Sequence, residues 1–221
     1  MGVKEEHIRF SEAYFYNPNE DVMVLGVGGI GSWLALSLSR LGCTLYLYDM
    51  DRVDGVNLAG QFMGPHDIGS FKTEAVTKNV LQFSPDTTIV GVNKTYDKDS
   101  STNPIVFSCF DNMKARKIAF QNWKEQEDRQ LFIDGRMALT TGEVYCVIKG
   151  REEEYESTLF DDSEVEDAEC TMKATTFNAL TIAGIMTGIY CNYIGVRKDP
   201  DLPLEMPFKT TYNYPLMMFE T

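Results

Sequence analysis

An α/β fold, with a doubly wound, mostly parallel sheet and a C-terminal antiparallel extension, is what this sequence predicts. Three observations carry that expectation. Short apolar runs alternate with helix-length segments over the first 135 residues, the pattern of strands joined by right-handed crossover helices. The first run, Val22 to Leu25, enters Gly26-Val27-Gly28-Gly29-Ile30-Gly31, a turn whose glycines let backbone approach a phosphate at a helix N-terminus. The second run closes on Asp49, eighteen residues past Gly31, where a ribose-binding carboxylate belongs.

The elements follow in order. Residues 1–20 form a polar and aromatic arm that ends at the turn signal Asn17-Pro18-Asn19. After the strand Val22 to Leu25, Ser32 to Leu41 places Leu34, Leu36, Leu38 and Leu41 on a helix that Gly42 stops. Leu45 to Tyr48 is the second strand. A glycine-rich loop leads to a helix from Lys72 to Phe83, ended by Ser84-Pro85-Asp86. Thr88 to Val92 and Ile105 to Cys109 read as strands, Asn112 to Asn122 as a helix and Leu131 to Asp134 as a fifth strand. Glu143 to Ile148 reads as its hairpin partner.

From Arg151 to Cys170 ten acidic residues occur with no basic residue after Arg151, so residues 151–171 are expected to be a mobile loop. A buried helix over Thr175 to Tyr193 follows, and the tail MPFKTTYNYPLMMFET reads as a strand or a docking segment. The 221 residues are expected to form one domain.

Bulk properties narrow the function. A formal net charge of -13 argues against a nucleic-acid surface. The five cysteines are scattered without a Cys-x-x-Cys pair, which fits neither a disulfide framework nor a structural zinc site. No signal-peptide core opens the sequence, and Ala179 to Ile194 is short for a membrane span. A cytoplasmic location without membrane attachment is the expectation. Cys43, Cys109 and Cys191 are expected in the core.

The glycine turn alone does not choose between a redox dinucleotide and ATP. An NAD-dependent oxidoreductase should show a hydride-handling group, and the chain has two histidines, His7 and His66, and no Tyr-x-x-x-Lys. The wider series is more specific. Asp49-Met50-Asp51-Arg52-Val53, then Asn57-Leu58-Ala59-Gly60-Gln61, then Gly69-Ser70-Phe71-Lys72, then Asp111-Asn112 with Arg116 resembles the ThiF/MoeB/ubiquitin-activating superfamily of Rossmann-like adenylyltransferases. The resemblance covers residues 20–135 in register and continues more loosely to 195. It implies ATP and magnesium as cofactors, a homodimer, and activation of the C-terminal carboxylate of a ubiquitin-like or sulfur-carrier protein. By resemblance Gly26, Gly28, Gly29 and Gly31 approach the nucleotide and Asp49 grips the ribose. Asp51 and Gln61 belong to the nucleotide site, Asn57 positions the triphosphate, Lys72 stabilises the phosphates and Asp111 holds magnesium. Taken singly, Asp49 could end a strand, Asn57 close a turn, Lys72 start a helix and Asp111-Asn112 cap one.

Two family cations are displaced. Gly60 stands where the family carries the arginine of N-L-x-R-Q, and Glu12 stands at the second arginine of the arm motif, of which Arg9 is kept. Arg52, Arg9 and Arg136 are the candidate replacements, and without one the chain would be a weakly catalytic or inactive nucleotide-binding scaffold. Cys170, at the end of the acidic stretch, resembles the cysteine of crossover loops that accepts the activated carrier. The alternative is a small buried residue where the loop re-enters the core.

Overall fold

A computed structural model describes residues 5–161 and 175–221. Its eight strands form one sheet in the order β3-β2-β1-β4-β5-β6-β7-β8. The parallel part comprises β1 (Asp21–Leu25), β2 (Thr44–Tyr48), β3 (Ile89–Val92), β4 (Ile105–Ser108) and β5 (Leu131–Ala138). Antiparallel pairing then adds β6 (Thr141–Ile148), β7 (Lys209–Asn213) and β8 (Met218–Glu220). The predicted sheet is therefore present, and β5 runs four residues beyond its expected end because β6 pairs with it from Leu131↔Ile148 to Ala138↔Thr141.

The central strands are apolar on both faces because helices cover both. On one face Val22, Val24, Phe107 and Ile133 pack with α1 (Gly29–Arg40), α2 (Lys72–Leu81) and α5 (Thr176–Lys198). On the other, Met23, Leu25, Val106 and Phe132 meet Phe120 and Trp123 of α3 (Met113–Lys124) and Tyr155 of α4 (Glu152–Glu156). At 23 residues α5 is longer than expected, and by length and composition it could cross a membrane. It packs as a core helix on α1, β5 and β6, with half of its most apolar window buried.

The acidic stretch is corrected in its first part. Glu152–Glu156 is helical, and the fully buried Tyr155 ring anchors it against Phe120 and Phe132. Its charges find partners outside the stretch: Glu152 with Arg129 at 2.9 Å, Glu156 with Lys124 at 2.8 Å, and Asp161 with Lys117. Counting charges within one segment misses such pairs. Residues 162–174, Cys170 among them, lie outside the described residues.

The arm packs where the strands begin. The His7 Nδ1 lies 3.0 Å from the Tyr16 hydroxyl, the Asn19 N–H donates to the Gly42 carbonyl at 2.7 Å, and Tyr14 donates to Asn192 Oδ1 of α5 at 3.2 Å. Gly42 immediately precedes Cys43 and β2, so the arm sits at the pole opposite the C-terminal strand ends.

Candidate functional site

The C-terminal ends of β2, β1 and β4 lie side by side, the crevice in which open α/β sheets hold ligands. The turn after β1 depends on glycine at two points. Gly26 has φ +84°, and a Cβ there would stand 2.9 Å from the Cys109 carbonyl oxygen. A Cβ on Gly31 would fall 1.9 Å from the Gly26 oxygen, so no larger residue fits while the turn keeps its path. Gly28 caps α1 with no side-chain hydrogen bond, and Gly29 opens the helix. The first-turn N–H groups therefore face the crevice, as an anion requires.

Asp49, at the end of β2, is stitched to that turn. Its Oδ2 accepts from the Val27 N–H and its Oδ1 from the Asp51 N–H, both at 2.8 Å. Burial pushes its pKa up, and the hydrogen bonds and Lys72 only partly offset that. Lys72, the first residue of α2, donates from Nζ to Asp51 Oδ2 at 2.7 Å. The lysine side chain is 10% exposed and the aspartate 55%, so the lysine is held in place by a carboxylate that faces solvent.

The loop between β2 and α2 supplies the remaining residues. The Asn57 Oδ1 accepts from the Asp54 N–H at 2.8 Å, so the turn-closing role is real and occupies its carbonyl, not its amide nitrogen. Gln61 reaches the turn: a Cβ on Gly28 would lie 3.8 Å from its Nε2, and its Oε1 is buried with no hydrogen-bond partner among the described residues. The same loop is pinned by Asp67, a buried carboxylate that accepts from the Gly64 N–H at 2.8 Å and the Asn79 Nδ2 at 2.9 Å.

Asp111 follows β4, exposed, and accepts from the Asn112 Nδ2 at 3.2 Å. Asn112 caps α3 by accepting from the Ala115 N–H at 2.8 Å. The contact of Cys109 with Gly26 places this loop against the glycine turn. Among the described residues no group of three or more His, Cys, Asp or Glu could hold a metal. A lone exposed carboxylate nonetheless suits magnesium, which keeps waters and takes one or two carboxylates plus substrate phosphates.

The candidate replacement arginines are engaged elsewhere. Arg52 pairs across a short antiparallel bridge with Phe71 and lies 3.9 Å over its ring, so it points away from the neighbouring Asp51–Lys72 pair. Its Nη1 donates to the Gly69 carbonyl at 2.7 Å. Arg9 belongs to the arm at the opposite pole. Gly60, in the family arginine position, is buried, and its carbonyl accepts from the Trp33 indole at 3.1 Å. Arg136 joins Arg116 on the buried Asp134. This cluster was missed as a unit, although an acid inside an otherwise apolar strand with an arginine two residues on was its signal. Cys43 and Cys146 are buried as core residues, and burial raises each thiol to about 12; Cys109 and Cys191 are partly exposed as whole residues, but burial raises their thiols too, and Cys109 packs against the core.

Fold and crevice define a doubly wound α/β protein with a glycine turn, a ribose-type acid and a helix-borne lysine at its central strand ends. The chain belongs to the ThiF family, which it matches over residues 18–201. Ubiquitin-like modifier-activating enzyme 5 of Bombyx mori is 34% identical over 131 residues, 52% of this chain and 33% of that protein. The Arabidopsis thaliana protein of that name is 28% identical over 176 residues, 66% of this chain and 39% of the other. The chain thus spans about a third of the length of these curated relatives. Among solved structures, Escherichia coli MccB with ATP superposes with a TM-score of 0.72 at 16% identity, covering 99% of this chain and 71% of that one. PaaA superposes with a TM-score of 0.69 at 19% identity, covering 91% and 62%. These likenesses show the fold.

Proposed function

We propose that this chain is an ATP-dependent adenylyltransferase acting on the C-terminal carboxylate of a ubiquitin-like or sulfur-carrier protein. The observation that carries the reading is the Lys72–Asp51 pair beside an Asp49 that is hydrogen-bonded into the glycine turn. In the reaction, a carboxylate oxygen of the carrier forms a bond to the α-phosphorus of ATP, the bond to the β-phosphate bridging oxygen breaks, and pyrophosphate leaves. The N–H groups at the start of α1 and the Lys72 ammonium oppose the phosphate charge. Asp49 accepts from ribose hydroxyls, and Gln61 has an open acceptor beside the turn. Magnesium, held by Asp111 and the phosphates, would withdraw charge from the phosphoryl oxygens. Cys170 is proposed to take the activated acyl group as a thioester, releasing AMP.

A homodimer belongs to the same reading. The outer stripe of α5 offers Phe177, Leu180, Gly184 and Gly188 to solvent, and Thr176 to Val196 contains no charged residue. It is a face on which two copies of an acidic chain can meet without repulsion.

Calorimetry with magnesium-ATP, NAD and NADPH tests the proposal on wild type and Asp111→Ala. Magnesium-dependent ATP binding that weakens at least about tenfold in the variant is expected, and NAD binding indifferent to Asp111 would sink it. A second reading, a nucleotide-binding scaffold with little catalysis, is favoured by one observation: neither Gly60 nor Glu12 supplies a cation. Magnesium-ATP binding without carrier-dependent pyrophosphate exchange would select it.

A further inference from the structure

Asp134 is a fully buried carboxylate in the middle of β5, beside the last residue of β4, and it serves two arginines at once. Its Oδ1 accepts from Arg116 Nε at 3.0 Å and its Oδ2 from Arg136 Nε at 2.7 Å. Each guanidinium also holds a different piece of chain. Arg116 Nη2 donates to the carbonyl of Phe110, the residue before Asp111, and to the Gly135 carbonyl at 3.2 Å. Arg136 donates from Nη1 to the Thr158 carbonyl at 3.1 Å and from Nη2 to the Thr158 hydroxyl at 3.0 Å. Thr158 follows α4 and precedes the Asp161–Lys117 pair, where the chain enters the acidic run.

Two guanidiniums on one carboxylate leave a surplus positive charge buried directly behind the Asp111 loop. The buried Ser108 hydroxyl has no hydrogen-bond partner among the described residues, and the Tyr155 hydroxyl faces Asp134 and Arg136. Ser108 is the register partner of Asp134, so an unpaired hydroxyl lies beside the cluster. A polyphosphate bound beside Asp111 would be attracted by that surplus charge. Any shift of Arg116 toward it alters the carboxylate that Arg136 shares.

We infer that Asp134 bridges the Asp111 loop to the Thr158 segment, so that occupancy of the nucleotide site sets the order of residues 157–161, with Arg136 as the positioning residue. The inference rests on the reading that this crevice takes magnesium-ATP. What differs between the two states is the interaction of the phosphates with an arginine pair tied to one anion, as a coupling between sites requires.

Hydrogen exchange over residues 151–161 tests it, with magnesium-ATP binding measured by calorimetry on the same samples. In the wild-type chain, saturating magnesium-ATP is expected to slow exchange at residues 157–161 by about fivefold or more. Arg136→Gln, which leaves the Arg116–Asp134 pair in place, should abolish that response, and the milder Thr158→Val should reduce it while binding persists. Binding without any response in the wild type, or an unchanged response in Arg136→Gln, overturns the inference alone. No magnesium-ATP binding by the wild type overturns both the inference and the adenylation reading.

Discussion

Asp67 shows how one buried carboxylate serves a site that it does not touch. It ties the loop carrying Asn57 and Gln61 to Asn79 of α2, the helix that begins at Lys72. Burial pushes its pKa up, but the Gly64 N–H, the Asn79 amide and Lys78 outweigh it and hold the carboxyl below the ordinary 3.8. Between the depressed folded value and the unfolded one, the unfolded chain binds more protons, so stability rises with pH there. The contribution is complete above the unfolded value and is lost as pH falls through the folded one. Urea midpoints of Asp67→Asn should therefore fall less steeply than those of wild type below about pH 4. Parallel slopes would remove Asp67 from acid unfolding. At this scale the placement of Gly26, Gly31, Asp49 and Lys72 around the strand ends was legible, because each sits in fixed relation to those ends. The Arg116–Asp134–Arg136 cluster was not read as one unit, since its members meet only when β5 lies beside α3.

At the scale of elements, alternation of strand and helix predicted β1, β2, β4, α1 and α3 closely, because each buries apolar residues at its own period. Pairing partners decided the rest. The extension of β5 follows from β6, and the order within the acidic stretch follows from Tyr155 and from bases on another segment. Tyr155 contacts Phe120, Phe132 and Tyr145, so it is the apolar anchor of an otherwise charged helix. Tyr155→Ala should cost about 3 kcal/mol by denaturant melt and open Arg151–Asp161 to proteolysis. Retention of wild-type protease resistance would show instead that the ion pairs hold α4.

For the whole molecule, a sheet separates two poles. The nucleotide-type crevice lies where the parallel strands end, and the arm with Arg9 lies where they start. A cation from that arm could serve only the site of another copy. Leu180→Glu adds charge to the uncharged α5 face at a position 44% exposed, and if the proposed dimer uses that face, light scattering should find the variant monomeric and the wild type dimeric. A monomeric wild type at tens of micromolar would remove both the proposed dimer and any role for Arg9 in catalysis.

The chain has two tryptophans, and their surroundings differ. Trp123 is fully buried in α3, whereas Trp33 is half-buried, donates to the Gly60 carbonyl and packs 4.9 Å from the Phe62 ring. An indole thus rests on the loop position where the family resemblance implies an arginine. Its emission is a native optical reporter: any ligand that shifts residues 57–63 changes the fluorescence of one tryptophan against the constant background of the other. Screening nucleotides and candidate peptides this way needs no label, and Trp33→Phe supplies the blank.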